Sequence, residues 1–254
     1  MGHTGVRHAI VTGGGTGIGR AAAAALTAAG MRVTVLGRRA APLRDAIAAG
    51  DAAHAETADV ADQTGLEAAL SRATVAHGPA LVLVNAAGVA ESAPFLKADA
   101  ALWDRALRVN LLGTVAATRA VLPGMLDAGW GRVVNVASTA ALRGYAYVTA
   151  YAAAKHAVLG LTRSLALEVA TRGVTVNAVC PGFTDTDIVA ESVARIVAKT
   201  GRTEDDARAE LAKHNPQGRL VTPAEVAATI AFLCSDAAAA VNGRALAVDG
   251  GEVP

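Results

Sequence analysis

Cysteine, aromatic residues and net charge are all scarce in this chain. Only two cysteines occur in 254 residues, Cys180 and Cys234, and no Cys-x-x-Cys pair exists. That excludes a disulfide framework and a thiolate zinc cluster, and it suits a reducing compartment. The six histidines are scattered without metal-ligand spacing, so no metal is expected. The formal charge is +1 and no block of Lys or Arg stands out, which excludes a nucleic acid or a membrane surface as partner. The first residues, MGHTGVRHAIVTG, lack the apolar core of a signal peptide. Charged residues or glycine interrupt the alanine-rich runs within about 15 residues, short of a membrane span. A cytoplasmic protein is expected.

Aromatics make up 3% of the chain and apolar residues 53%, so the core has to be built from Ala, Val, Leu and Ile. Short β-branched runs at 8–11, 31–37, 54–60, 81–88, 131–138, 174–182 and 244–251 alternate with helix-like segments. Among these segments, 98–128 reads as one long helix or a pair, and 151–173 as one long helix. Strands nearly continuous in Val, Leu and Ile are buried on both faces. Their alternation with helices predicts an α/β fold: a single-domain, Rossmann-type, doubly wound parallel sheet of about seven strands, with helices on both faces. No linker or repeat divides 1–254. The irregular stretch is 183–217, longer and more charged than the other crossovers, and it is expected to form a lid over a substrate pocket.

Residues 12–19 read TGGGTGIG and stand between the first strand and the first helix. Five glycines in eight residues cost conformational entropy, so such density implies a close approach to the backbone. A strand, a glycine turn and a helix N-terminus form the place where a dinucleotide pyrophosphate binds, on free N–H groups and a partial positive charge. Thr12, Gly13, Gly15, Thr16, Gly17, Ile18 and Gly19 are therefore the expected cofactor loop, spaced T-G-x-x-x-G-x-G.

TGGGTGIG, NAAG at 85–88, a serine at 138, YAAAK at 151–155 and PG at 181–182 occur in an order that resembles the short-chain dehydrogenase/reductase family. The resemblance runs from about residue 7 to 251. Within the family it is similar to the short single-domain branch of ketoacyl reductases and hydroxyacyl thioester dehydrogenases. It departs where the family has NNAG, because Ala86 replaces the second Asn. The resemblance implies hydride transfer between NADP or NAD and a secondary alcohol or ketone, a 3-hydroxyacyl or 3-ketoacyl thioester included. It implies that Asp59 and Val60 contact the adenine ring and that Asn85, Ala86 and Gly88 line the adenine ribose. Pro181, Gly182, Thr184 and Thr186 then flank the nicotinamide or pyrophosphate. It also implies a homotetramer, for which the apolar stretches 99–125, 151–170 and 244–251 supply surface.

Tyr151 and Lys155 are i and i+4 on one helix face. A phenol with a pKa near 10 is a poor base at neutral pH, and a nearby ammonium favours the phenolate. Tyr151 is then the proton donor and acceptor, with Lys155 beside it and both touching the cofactor. Ser138 ends the fifth strand at the carboxyl edge, where its hydroxyl can hold the substrate oxygen. Asn110 falls mid-helix, where Asn is a poor helix former and needs partners. The resemblance implies that it holds a water in a proton relay to Lys155. After the second strand, VTVLGRR carries Gly37 where NAD enzymes place an acid, followed by Arg38 and Arg39. A guanidinium suits a 2′-phosphate, which favours NADP over NAD. A catalytically silent sensor or scaffold that binds the same cofactor is the alternative, and turnover of secondary alcohols separates the two.

Overall fold

The computed structural model describes residues 5–253. Seven strands form one parallel sheet: β1 (His8–Thr12), β2 (Arg32–Gly37), β3 (His54–Thr57), β4 (Ala80–Asn85), β5 (Gly131–Val136), β6 (Val174–Pro181) and β7 (Ala245–Val248). Their order is β3-β2-β1-β4-β5-β6-β7. Every residue of β1, β4, β5 and β6 is buried, as expected for strands covered on both faces.

The helices are α1 (Gly17–Ala28), α2 (Ala40–Ala48), α3 (Gln63–His77), α4 (Ala100–Leu107), α5 (Gly113–Ala128), α6 (Thr149–Val169), α7 (Asp187–Thr200), α8 (Glu204–Ala212) and α9 (Pro223–Cys234). On one side of the sheet Ala22, Ala23 and Leu26 of α1 pack with Val226, Ile230 and Leu233 of α9 over Val11, Val35 and Val134. Alanine is the best helix former and is small enough to let two helices approach, so one composition serves both ends. On the other side Leu66 and Leu70 of α3, with Ala117 and Val121 of α5, cover Ile10, Leu83 and Val133. The start of α9 is fixed by a capping box of Thr222 and Glu225 with Pro223 in its first turn.

The stretch Ala100–Ala128 is apolar and long enough to cross a membrane by length and composition. Here it is two helices joined by a π-helical turn, Arg108–Leu112, and its buried face belongs to the core.

Chain order reverses between β1 and β4, which opens a crevice beyond the carboxyl ends of these strands. Thr12 is opposite Asn85, and Asn85 is opposite Asn135, so the three strand ends are level. The segment after β6 leaves the sheet and returns through a bridge between Thr184 and Val221. Between those points α7 and α8 share a small apolar core of Val189, Val193, Ala207 and Leu211.

The third strand ends at Thr57 rather than at residue 60. Asp59 instead accepts from the Ala61 N–H in a turn, which takes the backbone off the sheet. The fifth strand stops at Val136, so Ser138 lies two residues beyond it.

Candidate active site

The glycine loop folds as tightly as its composition predicts. Gly13 has φ +67°, and a Cβ there would stand 2.8 Å from the main chain of Ala87. At Gly19 a Cβ would stand 2.2 Å from the carbonyl oxygen of Gly13. Neither position tolerates a side chain. The loop runs into α1, whose first turn has no capping side chain from Thr16 and no acidic residue. Its leading N–H groups are therefore free to receive an anion. Thr186, at the start of α7, brings its methyl carbon against Gly17, so two helix N-termini converge here. A cradle that any Cβ would fill, with open N–H groups facing it, fits a dinucleotide pyrophosphate.

Thr12 ties the loop to the next strand, its hydroxyl accepting from the N–H groups of Ala86 and Ala87 at 3.2 and 3.3 Å. The NAAG segment is thus held by backbone contacts that need no Asn at 86. The Asn85 amide is buried and donates to Thr118 at 3.2 Å and to Asn135 at 2.9 Å, and Asn135 donates to Thr162. The side chain braces the sheet against α5 and α6.

At the end of β2, Arg38 is 66% exposed and reaches Asp59 at 3.9 Å. Val60 is buried and packs against Gly113. Arg39 is exposed and precedes α2 as its N-cap, without a side-chain hydrogen bond. Pro181 ends β6, and the Thr184 and Thr186 hydroxyls donate to the carbonyls of Gly182 and Thr184.

Across the crevice, Ser138 is the N-cap of a 3-10 turn (Thr139–Ala141), and its hydroxyl accepts from the Ala140 N–H at 3.1 Å. The Tyr151 phenol lies within hydrogen-bonding reach of it. Lys155 is buried and donates to the Val136 carbonyl at 2.7 Å, with its ammonium 5.7 Å from the Tyr151 ring centroid. Gly88 faces both Asn110 and Lys155: a Cβ there would stand 2.9 Å from Asn110 Oδ1 and 3.6 Å from Lys155 Nζ. The four residues expected to act together are brought together.

Two of their properties differ from expectation. Burial pushes the Tyr151 phenol above its ordinary value, and the Ser138 hydrogen bond offsets this only in part. Burial also pulls the Lys155 ammonium down to about 8. Desolvation outweighs the effect that one ammonium was expected to have on the phenol. Asn110 lies in the π turn, and its amide donates to the carbonyls of Val89 and Ala106 and accepts from the Val89 N–H. Both amide donors are used, so the side chain anchors the segment after Gly88 and has no donor left for a water.

The model for the short chain dehydrogenase family matches residues 7–197. The chain belongs to that family. The short-chain reductase protein NovJ of Streptomyces niveus is 41% identical over 247 residues, covering 96% of this chain and 92% of its own. A D-beta-hydroxybutyrate dehydrogenase of Cupriavidus necator is 38% identical over 259 residues, covering 96% and 97%. Among solved structures, an actinorhodin polyketide ketoreductase variant with NADPH superposes with a TM-score of 0.94 at 37% identity, over 99% of each chain. As a short-chain dehydrogenase the protein is an NAD(P)-dependent oxidoreductase acting between secondary alcohols and ketones.

Motif reading missed Tyr145, Thr139, His214 and Glu252. Tyr145 donates a hydrogen bond to Glu252 and also hydrogen-bonds Thr139 at 2.9 Å. His214 packs on Phe183, with ring centroids 5.2 Å apart. No spacing announces contacts between residues so far apart in the chain. It also missed the Val136 carbonyl that holds Lys155, since a main-chain acceptor carries no residue-type signal.

Proposed function

We propose that this chain is an NADP-preferring ketone reductase in which Tyr151 delivers the proton, Ser138 holds the substrate oxygen and Lys155 and Asn110 position the group around them. The convergence of Ser138, Tyr151 and Lys155 at one end of the sheet carries this reading. The nicotinamide, when bound, supplies the hydride in reduction and accepts it in oxidation. The chain's residues manage orientation and the proton.

The Ser138 hydroxyl donates to the substrate oxygen and keeps it beside the Tyr151 phenol. The raised phenol stays protonated at neutral pH, which suits a general acid in the direction of reduction. Lys155 is held by Val136 so that its ammonium faces the same crevice, and it is the residue placed to contact the nicotinamide ribose. Asn110 fixes Gly88 and Val89, which form the opposite wall. Gly13, Gly17, Gly19 and the first turn of α1 receive the pyrophosphate. Arg38, with no acid at position 37, receives a 2′-phosphate. Asp59, held at the turn by the Ala61 N–H, stands beside Arg38 where the adenine would lie.

The segment 183–217, pinched at Thr184 and Val221, is a lid over the substrate. The relatives support a ketone or secondary alcohol, with 3-ketoacyl thioesters among the substrates to test. Leu112 of the π turn and Leu167 of α6 expose apolar surface, which supports a homotetramer. The buried, unpaired Cys180 and Cys234 suit the cytoplasm. A panel of ketones, ketoacyl thioesters and secondary alcohols with both cofactors, followed at the nicotinamide absorbance, tests the reading. Cofactor binding without turnover would replace it with a silent sensor.

A further inference from the structure

Behind the Ser138 turn lies a buried carboxylate that the proposed reaction does not use. Glu252, in the tail after β7, has a side chain only 1% exposed. One of its oxygens accepts from the Tyr145 hydroxyl, and that hydroxyl also hydrogen-bonds Thr139, the residue next to Ser138. The other oxygen, Oε2, is buried and has no hydrogen-bond partner among the described residues. It lies over Gly182, where a Cβ would stand 3.0 Å from it. Glu252 is therefore wedged between the Ser138 turn and the segment that follows β6, and both flank the reacting centre.

Little offsets this charge. His214 comes within 4.0 Å of the carboxylate, but it is 44% exposed. The Arg143 guanidinium stacks on the Tyr145 ring at 4.8 Å from its centroid and is itself exposed to solvent. A half-satisfied carboxylate in a low-dielectric wall acts on a nearby charge more strongly than one bathed in water does.

The geometry points to Glu252 as a charge-selectivity residue of the substrate site. The pocket accepts ketones and alcohols whose substituents beside the reacting carbon are uncharged and rejects those carrying a carboxylate there. This rests on the placement of the reaction at Ser138 and Tyr151.

The test compares 3-oxobutanoate with its methyl ester as substrates of the full chain with NADPH. Wild type is expected to reduce the ester with a kcat/KM at least about tenfold above that of the acid. Glu252→Gln keeps an acceptor for Tyr145 and removes the charge. It should raise the acid-to-ester ratio by about tenfold and leave NADPH affinity unchanged. A ratio near one in wild type, or one that the substitution does not move, overturns the inference. Should Glu252→Gln fail to fold, competitive inhibition of the wild-type protein gives the same answer: butyramide should inhibit at least about tenfold more tightly than butyrate, and equal inhibition overturns the inference. Reduction of neither substrate strikes at the placement of the reaction itself, whereas equal reduction of both removes charge selection alone.

Discussion

Arg38 and Asp59 face each other at 3.9 Å across the carboxyl ends of β2 and β3, both reaching into solvent. An exposed pair at that distance is worth little, so Arg38 is easily recruited by a stronger anion. Arg38→Ala should weaken NADPH by about 10- to 100-fold, equivalent to about 1.5–3 kcal/mol, and leave NADH nearly unchanged. Dissociation constants from nicotinamide fluorescence check this. Equal losses for the two cofactors would mean that Arg38 does not meet the 2′-phosphate.

Tyr151→Phe removes only a hydroxyl, so helix α6 and cofactor binding should persist while kcat falls by about 100- to 10,000-fold. Lys155→Ala should lower kcat and cofactor affinity together. Retention of most activity by the Tyr151 variant would remove the acid assignment.

The pH profile of reduction follows from the same pair. Lys155 titrates at about 8, so its ammonium is present below that value and lost above it. The raised phenol of Tyr151 is still protonated there. The kcat/KM for ketone reduction should be flat near pH 7 and fall above about pH 8. A profile that stays level to pH 10 would contradict the role given to Lys155.

The edge of the sheet opposite the glycine loop holds a histidine trio. His8 is buried, with Nδ1 at 2.9 Å from the Gly78 carbonyl and Nε2 at 2.9 Å from the Thr34 hydroxyl. The His77 ring lies 5.5 Å from His8 and 4.9 Å from His54. Burial lowers the pKa of His8 and His77, and the neighbouring histidines lower both further. A lowered folded value means that the unfolded chain binds the proton first. Stability is then intact above the unfolded value of about 6.5 and is lost as pH falls below it. The melting temperature should drop between pH 7 and pH 5, by about 2–4 °C per kcal/mol lost, and His77→Asn should shrink that drop. A melting temperature constant over this range would contradict the assignment.

Sedimentation should give about four times the 25.4 kDa of one chain at micromolar concentration. Leu112→Glu with Leu167→Glu should dissociate the assembly without unfolding the protomer. A wild-type monomer would reject the tetramer.

How much could be read from the residues depended on how local the physics was. Strand periodicity placed all seven strands, because burial on both faces leaves a run such as ALVLVN with no other use. The tight glycine loop and the placing of Tyr151 beside Lys155 on one helix were legible because both follow from spacing along the chain. The Asn85 amide was not, since its partners Thr118 and Asn135 lie on other elements. Neither was the value of the Tyr151 phenol, which burial sets and no neighbouring residue reveals. Tyr145 and Glu252 meet across 107 positions, so their contact is a product of the finished fold. The π turn hid inside RVNLLG, which carries an ordinary helical pattern.

That turn makes the register of α5 dependent on a single added residue. A π turn holds one more residue than an α turn, and each residue advances a helix by about 100°. Removing one residue from 108–112 would straighten α4 and α5 into one continuous rod. It would also rotate Thr114, Thr118 and Val121 by roughly a quarter of a revolution relative to α4 and Asn85. The shortened chain would be a better helix and a worse enzyme. Substitutions can accumulate along α4 and α5, but the residue count between Ala106 and Thr114 cannot drift.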